Sequence, residues 1–358
     1  MILPLINLLI IIPTLIFSLF LNSIESNQSI SKKPEVMENK GIYLTAYTAG
    51  DKKRRGELID LIKKTELNSV VIDLKDYSGR IFFDTDIALA NQIQSEDIRI
   101  PDLAELVKDL KKEGIYPIAR IVVFQDPYLA QKMPAIALKN KSGGVWRDYK
   151  GLNWVDPTQK LVWDYNLDLA KEAAKLGFSE INFDYIRFPS DGDIKQIVYA
   201  DLPNNDKNLV MANFYQYLSE TLVFYPVLTS ADLFGMTLWR SDGLNIGQRF
   251  EDAVPYFDFI SPMVYPSHYP PNFEGFANPA EHPYEVVYRS LIKAKGKIGP
   301  NQAILRPWLQ DFDLGAEYTP EMIRAQIKAS NDSGGLGWLL WNASNHYTKE
   351  SLELNLDN

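Results

Sequence analysis

A chain of 358 residues is long enough for one large α/β barrel or two smaller domains, and 46% hydrophobic with 23% charged residues is a globular rather than a disordered composition. A net charge of −9, with no basic run longer than Lys52-Lys53-Arg54-Arg55, argues against nucleic acid as a partner. The absence of cysteine excludes disulfides and thiol catalysis, and the three histidines (His268, His282, His346) sit in late loops without ligand spacing. No G-x-S-x-G elbow, P-loop or G-x-G-x-x-G fingerprint occurs, so serine acyl transfer, nucleotide binding and dinucleotide chemistry lack support, and neither metal nor cofactor is expected.

Residues 2–22 are almost wholly apolar and no charge precedes Glu25, a length sufficient to cross a bilayer. There is no basic n-region and no A-x-A-like cleavage site, so a signal anchor is expected over a cleaved signal peptide. Residues 23–40 read as a tether, placing a domain over residues 41–348 outside the cytoplasm, in the periplasm, at the cell surface or secreted if the N-terminus is cleaved, with 349–358 as a tail.

From Gly41 onward strand-like and helix-like runs alternate, as in parallel α/β folds. The expected strands are Gly41–Thr48, Ser69–Asp76, Tyr116–Phe124, Glu180–Phe188, Val227–Leu233, Phe259–Tyr265, Ala303–Gln310 and Gly337–Trp341. Seven helices fall between or before them, around Gly56–Glu66, Leu103–Glu113, Val162–Leu176, Val210–Val223, Ile246–Phe257, Tyr284–Ala294 and Pro320–Ser330. Eight strands in this alternation predict a (β/α)8 TIM barrel.

Side chains alternate along a strand, and one parity is repeatedly polar near the strand ends. It carries Tyr43, Thr45 and Tyr47, then Asp73 and Lys75, Arg120, Asn182 and Asp184, and Ser230 and Asp232. Ser261 and Tyr265, Arg306 and Trp308, and Asn342 continue it. Polarity buried in a barrel costs free energy unless it is paired or functional, and catalytic groups of such barrels lie at the carboxyl ends of strands.

The segment Ile181-Asn182-Phe183-Asp184-Tyr185-Ile186-Arg187-Phe188-Pro189 stands out. It sets a carboxylate and a guanidinium close together at a strand end, either as a structural pair or as an active-site acid. Paired carboxylates amid aromatics fit glycoside hydrolysis, which needs one carboxyl to donate a proton and one to stay ionised. Asp184 and Asp232 end neighbouring strands, about 4.8 Å apart, a spacing nearer that of retaining than of inverting enzymes. Asp73, Asp76 and Asp311 are further acid candidates. Tyr265, Trp308 and Trp341 are candidate sugar-stacking groups, while Trp146, Tyr149 and Trp154 serve either sugar stacking or packing within a long loop. Arg120, Lys75 and Arg306 either bind sugar hydroxyls or uronate carboxylates, or neutralise the inward aspartates. Tyr47, Asp73, Arg187 and Asn342 complete the expected substrate-binding set. The expected partner is a polysaccharide or oligosaccharide; a glycan-binding or envelope structural barrel without turnover would use the same aromatics and need no paired acids.

Seven stretches together resemble the bacterial glycoside hydrolase family catalogued as domain of unknown function 4015. They are Val71–Asp76, Ile118–Phe124, Phe183–Pro189, Ser230–Gly235, Ser261–Tyr269, Arg306–Phe312 and Gly337–Asn342. The resemblance implies a TIM barrel distantly similar to the α-amylase group, with Asp184 as nucleophile. This chain departs from the α-amylase pattern at Asn182, where that group has arginine, at Asp232, where it has glutamate, and at Arg306 and Trp308, where no His-Asp pair follows. An α-glucan substrate is therefore not expected.

Overall fold

The computed structural model describes residues 31–300 and 302–355. Residues 2–22, read as a membrane anchor, lie outside these; among the described residues no helix is long and apolar enough to cross a membrane.

The core is a closed barrel of parallel strands. They are β1 (Asn39–Leu44), β2 (Ser69–Lys75), β3 (Tyr116–Val122), β4 (Glu180–Asp184), β5 (Leu228–Phe234) and β6 (Phe259–Met263). β7 follows in two pieces (Ile304–Leu305 and Trp308–Gln310), then β8 (Gly337–Trp341). Each strand pairs with its chain neighbour, Trp308 pairs with Met263, and β8 returns to β1 through Asn39↔Gly337. β7 is split where Pro307 cannot donate to the ladder.

Around the barrel run α1 (Ala46–Gly50), α2 (Lys52–Lys64), α3 (Ala88–Ile93), α4 (Leu103–Lys112), α5 (Pro127–Lys132), α6 (Lys160–Lys175) and α7 (Lys207–Leu222). They are followed by α8 (Phe250–Ala253), α9 (Pro283–Lys295) and α10 (Pro320–Asp332). In α4, Leu103, Leu106, Val107 and Leu110 form the stripe that packs on the sheet. α10 opens on Thr319, whose side chain accepts from the Met322 N–H, with Pro320 in the first turn.

Parity separates two cores. Tyr43, Val71, Tyr116, Ile118, Leu228, Phe259, Tyr265, Trp308 and Leu339 fill the barrel, while the opposite faces join a larger layer beneath the helices.

Several expected elements are shorter than the sequence suggests, three of them for a plain local reason. The first strand stops at Leu44 because Thr45 caps α1, its side chain accepting from the Thr48 N–H. The fourth stops at Asp184 because Tyr185 turns left-handed, at φ 52°. The helix expected over 246–257 is only the four residues of α8, because Leu244, Asn245 and Gly247 all carry positive φ. Its apolar spacing still buries Ile246, Phe250, Ala253, Val254 and Phe257.

Candidate active site

The carboxyl ends of β3 to β8 enclose a cavity of about 370 Å³ whose lining includes Arg120, Asp184, Arg187, Asp232, Tyr265, Trp308 and Trp341. These seven residues, all expected from the sequence, are thus brought together.

Arg120 organises the floor. Its Nη2 and Nε donate to Asp184 Oδ2 at 2.6 and 3.2 Å, and its Nη1 donates to Asp73 Oδ1 at 2.6 Å. Asp184 Oδ1 accepts from the Tyr185 N–H at 2.6 Å, a bond made possible by the left-handed turn. Three N–H donors thus converge on the Asp184 carboxylate.

Asp232 is held differently. Its Oδ1 accepts from Asn182 Nδ2 at 2.8 Å and Trp308 Nε1 at 2.7 Å, while Oδ2 takes no hydrogen bond among the described residues. Burial, and after it the negative charge of Asp184, raises the Asp232 carboxyl well above the usual range, against the two donors and Arg120. The register of β4 against β5 pairs Asn182 with Ser230 and Phe183 with Ala231, which sets Asp184 level with Asp232. The charge of Asp184 on the neighbouring strand thus adds to burial in keeping the Asp232 carboxyl protonated.

Burial likewise pushes Asp73 up to about 6, against Arg120 and its hydrogen bond from Tyr43, so at neutral pH it is largely ionised beneath Arg120. Tyr265 lines the cavity with its phenol raised, first by burial and then by Asp232 and Asp184, and so remains a proton donor. Trp341 stacks on Tyr43, ring centroids 4.1 Å apart, and Trp308 meets Trp341 edge-on.

Other expected residues lie elsewhere. The β2–β3 register shifts between Asp73 and Lys75, and Lys75 is fully buried, with Nζ 2.7 Å from Asp126 and 2.9 Å from Asn166 of α6. Arg306 is locked in a two-pronged ion pair with Glu180, its Nη1 2.9 Å from Oε2. Tyr47 rides on α1, 55% exposed and packed against Phe82 and Arg99, because β1 ends before it. Asn342 borders a second cavity of about 660 Å³, which shares Tyr265, His268 and Trp341 with the first. There its Nδ2 donates to the Asp311 and His346 carbonyls. Of the other acids, Asp311 is raised by burial and bonded to Thr348, and Asp76 is bonded to Ser78. Trp146 and Trp154 are buried, whereas Tyr149 is exposed.

The cavity also takes Tyr185, Phe234, Gly235, Met236, Met263, His268 and Tyr269, none of which sequence reasoning assigned to it. Gly235 had a readable signal only in retrospect: a Cβ there would come within 2.6 Å of the Met263 carbonyl and the Tyr269 hydroxyl.

A parallel barrel with acids gathered at its carboxyl rim is the architecture of many glycoside hydrolases. The family catalogued as DUF4015, described as a putative glycosyl hydrolase domain, matches residues 41–347, and the chain belongs to it. It is, by that membership, a glycoside hydrolase. A solved structure of a hypothetical protein from Ruminiclostridium thermocellum ATCC 27405 is 36% identical, with TM-score 0.50, over 53% of this chain and 96% of that one. The PgaB (BpsB) glycoside hydrolase domain from Bordetella bronchiseptica superposes with TM-score 0.65 at 14% identity, over 89% of this chain and 100% of that one. TtGalA, an α-galactosidase from Thermus thermophilus, has TM-score 0.55 at 13% identity, over 89% of this chain and 61% of that one. At these two identities the likeness is one of fold. No curated protein matches the chain.

Proposed function

We propose that the enzyme hydrolyses a cell-envelope or extracellular polysaccharide with retention, using Asp184 as nucleophile and Asp232 as acid/base. The observation that carries this reading is the contrast between the two carboxyls: Asp184 is gripped by Arg120, while Asp232 is buried and raised by that burial and by Asp184 beside it. In the first step Asp184 attacks the anomeric carbon as Asp232 gives its proton to the leaving oxygen, forming a glycosyl-enzyme ester and the free aglycone. Asp232, now ionised, then takes a proton from water, whose oxygen releases the sugar and restores Asp184. The neighbouring-strand placement supports retention, since no wide gap for a water separates the strands.

An extracytoplasmic location is part of the proposal and rests on the apolar residues 2–22. Full-length protein recovered soluble from cytoplasm with these residues intact would count against it.

The test of the chemistry is hydrolysis of a panel of envelope glycans, read as new reducing ends, with NMR of the first-formed anomer. Release of product with the substrate's own anomeric configuration is expected. Binding without product would favour a glycan-binding barrel, and the opposite anomer would remove the covalent step.

A further inference from the structure

Three of the four cations expected at the site end in ion pairs: Arg120 with Asp73 and Asp184, Lys75 with Asp126, and Arg306 with Glu180. Arg187 does not. It lines the cavity beside Asp184 and Asp232, is only 7% exposed, and has no carboxylate partner within 4.0 Å among the described residues. Its Nη1 donates to the Phe188 carbonyl at 3.0 Å and to Ser190 Oγ at 3.3 Å. Its Nε and Nη2 have no acceptor among the described residues.

The rings of Trp154, Tyr185 and Phe234 surround the guanidinium at 5.0, 5.0 and 4.8 Å. They hold it in place and partly offset its lost hydration, but a ring accepts no strong hydrogen bond. The anions that act on it are already engaged. Asp184 binds Arg120 and the Tyr185 N–H, and Asp148 accepts from Trp154 Nε1 and two backbone N–H groups. Asp191 accepts from the Tyr149 N–H. Both idle donors keep some exposure to the cavity, where water can serve them until an anion of the substrate replaces it.

Nε and Nη2 form the straight edge of a guanidinium, whose two parallel N–H groups match the two oxygens of a carboxylate. Arg120 presents this same edge to Asp184. We propose that the free edge of Arg187 receives the carboxylate of a uronic acid residue, so that the substrate is an acidic polysaccharide and Arg187 selects it. This rests on the reading of the cavity as the sugar site. It also moves the anion-binding role from Arg120, Lys75 and Arg306, which are neutralised within the protein, to the cation that is not.

The test is calorimetric titration of the full chain with methyl glucuronide and methyl galacturonide, each against its neutral glucoside or galactoside. At least one uronide should bind more tightly than its neutral partner by roughly tenfold or more, the scale of one charge-assisted forked contact. Arg187→Met should abolish that preference and leave neutral-sugar affinity within a few fold. Arg187→Lys, which keeps the charge and loses the fork, should retain only part of it and carries the test if the Met variant does not fold. Asp184→Asn should keep the preference, so a wild-type chain that prefers uronides without hydrolysing any glycan would refute the proposed chemistry and leave this inference standing. Equal affinities for both uronides and their neutral partners, a preference that survives Arg187→Met, or tighter binding of glucose 6-sulfate than of the uronides would each overturn it.

Discussion

Trp308 Nε1 donates to Asp232 Oδ1 at 2.7 Å, and the indole is only 1% exposed, so this residue of β7 acts on the proposed acid from inside the barrel. A donor to the carboxylate holds its pKa down. Trp308→Phe removes that donor and keeps most of the ring. The Asp232 pKa should rise further, and since the acid must be protonated to work, the alkaline limb of the pH–rate profile should move to higher pH. Stability should fall by about 1–3 kcal/mol, read by urea unfolding. An unmoved alkaline limb would separate Trp308 from the acid.

Trp341 differs from Trp308 because it is half-buried and borders both cavities while stacking on Tyr43. Trp341→Ala should weaken glycan binding by roughly 0.5–1.5 kcal/mol, the value of one aromatic stack, with a smaller loss of stability. Trp308→Ala should instead cost about 3–5 kcal/mol of stability. Paired melting and titration curves distinguish the two; equal stability losses would make Trp341 a packing residue as well.

The barrel was legible because its signal is periodic and long. The alternating runs gave all eight strands, and one parity placed Asp73, Arg120, Asp184, Asp232 and Trp308 on the inner face. What the sequence hid depends on single backbone angles and on partners remote in the chain. Tyr47 leaves the inner face because Thr45 starts a helix, and Lys75 leaves it because β2 shifts register. The partners that neutralise Lys75 and Arg306, Asp126 and Glu180, are 51 and 126 residues away. The gap between Ile246 and Phe257 kept its helical spacing of apolar residues, yet Gly247 at φ 79° broke the helix.

Asp73 makes stability depend on pH in the direction opposite to an ordinary ion-paired acid. Burial lifts its folded pKa to about 6, above the ordinary carboxyl value of 3.8, so its favourable contribution is complete below that ordinary value and is lost as pH rises through about 6. Asp73→Asn cannot ionise. The stability of wild type relative to this variant should therefore fall between about pH 4 and about pH 7, by on the order of 3 kcal/mol. Urea unfolding of both proteins at the two pH values measures it. A difference that grows with pH would show that the ion pair to Arg120 outweighs the cost of burial.

Asp232→Asn should slow natural glycans by roughly 10²–10⁴-fold and activated aryl glycosides less, because their leaving groups need no proton and only the water step loses its base. Added azide should restore turnover of the aryl substrates if a glycosyl-enzyme forms. Normal activity on natural glycans would pass the acid role to Asp73, Asp76 or Asp311. Among these, Asp73 is tied beneath Arg120, and Asp311 is held by Thr348.

Asp184→Asn should abolish turnover of natural and activated substrates alike, by roughly 10⁴-fold or more, because no proton donor substitutes for a missing nucleophile. The fold should survive, since Arg120 keeps Asp73 as a partner at 2.6 Å and the amide oxygen can still accept from the Tyr185 N–H. The loss of one negative charge should also lower the Asp232 pKa, because Asp184 is the second cause, after burial, that raises it. Direct titration of Asp232 by carbon-detected NMR in the variant should show that fall. Azide should return activity as a glycosyl azide of inverted configuration. Turnover of a natural glycan at the wild-type rate would end the assignment of Asp184, whatever the behaviour of Asp232.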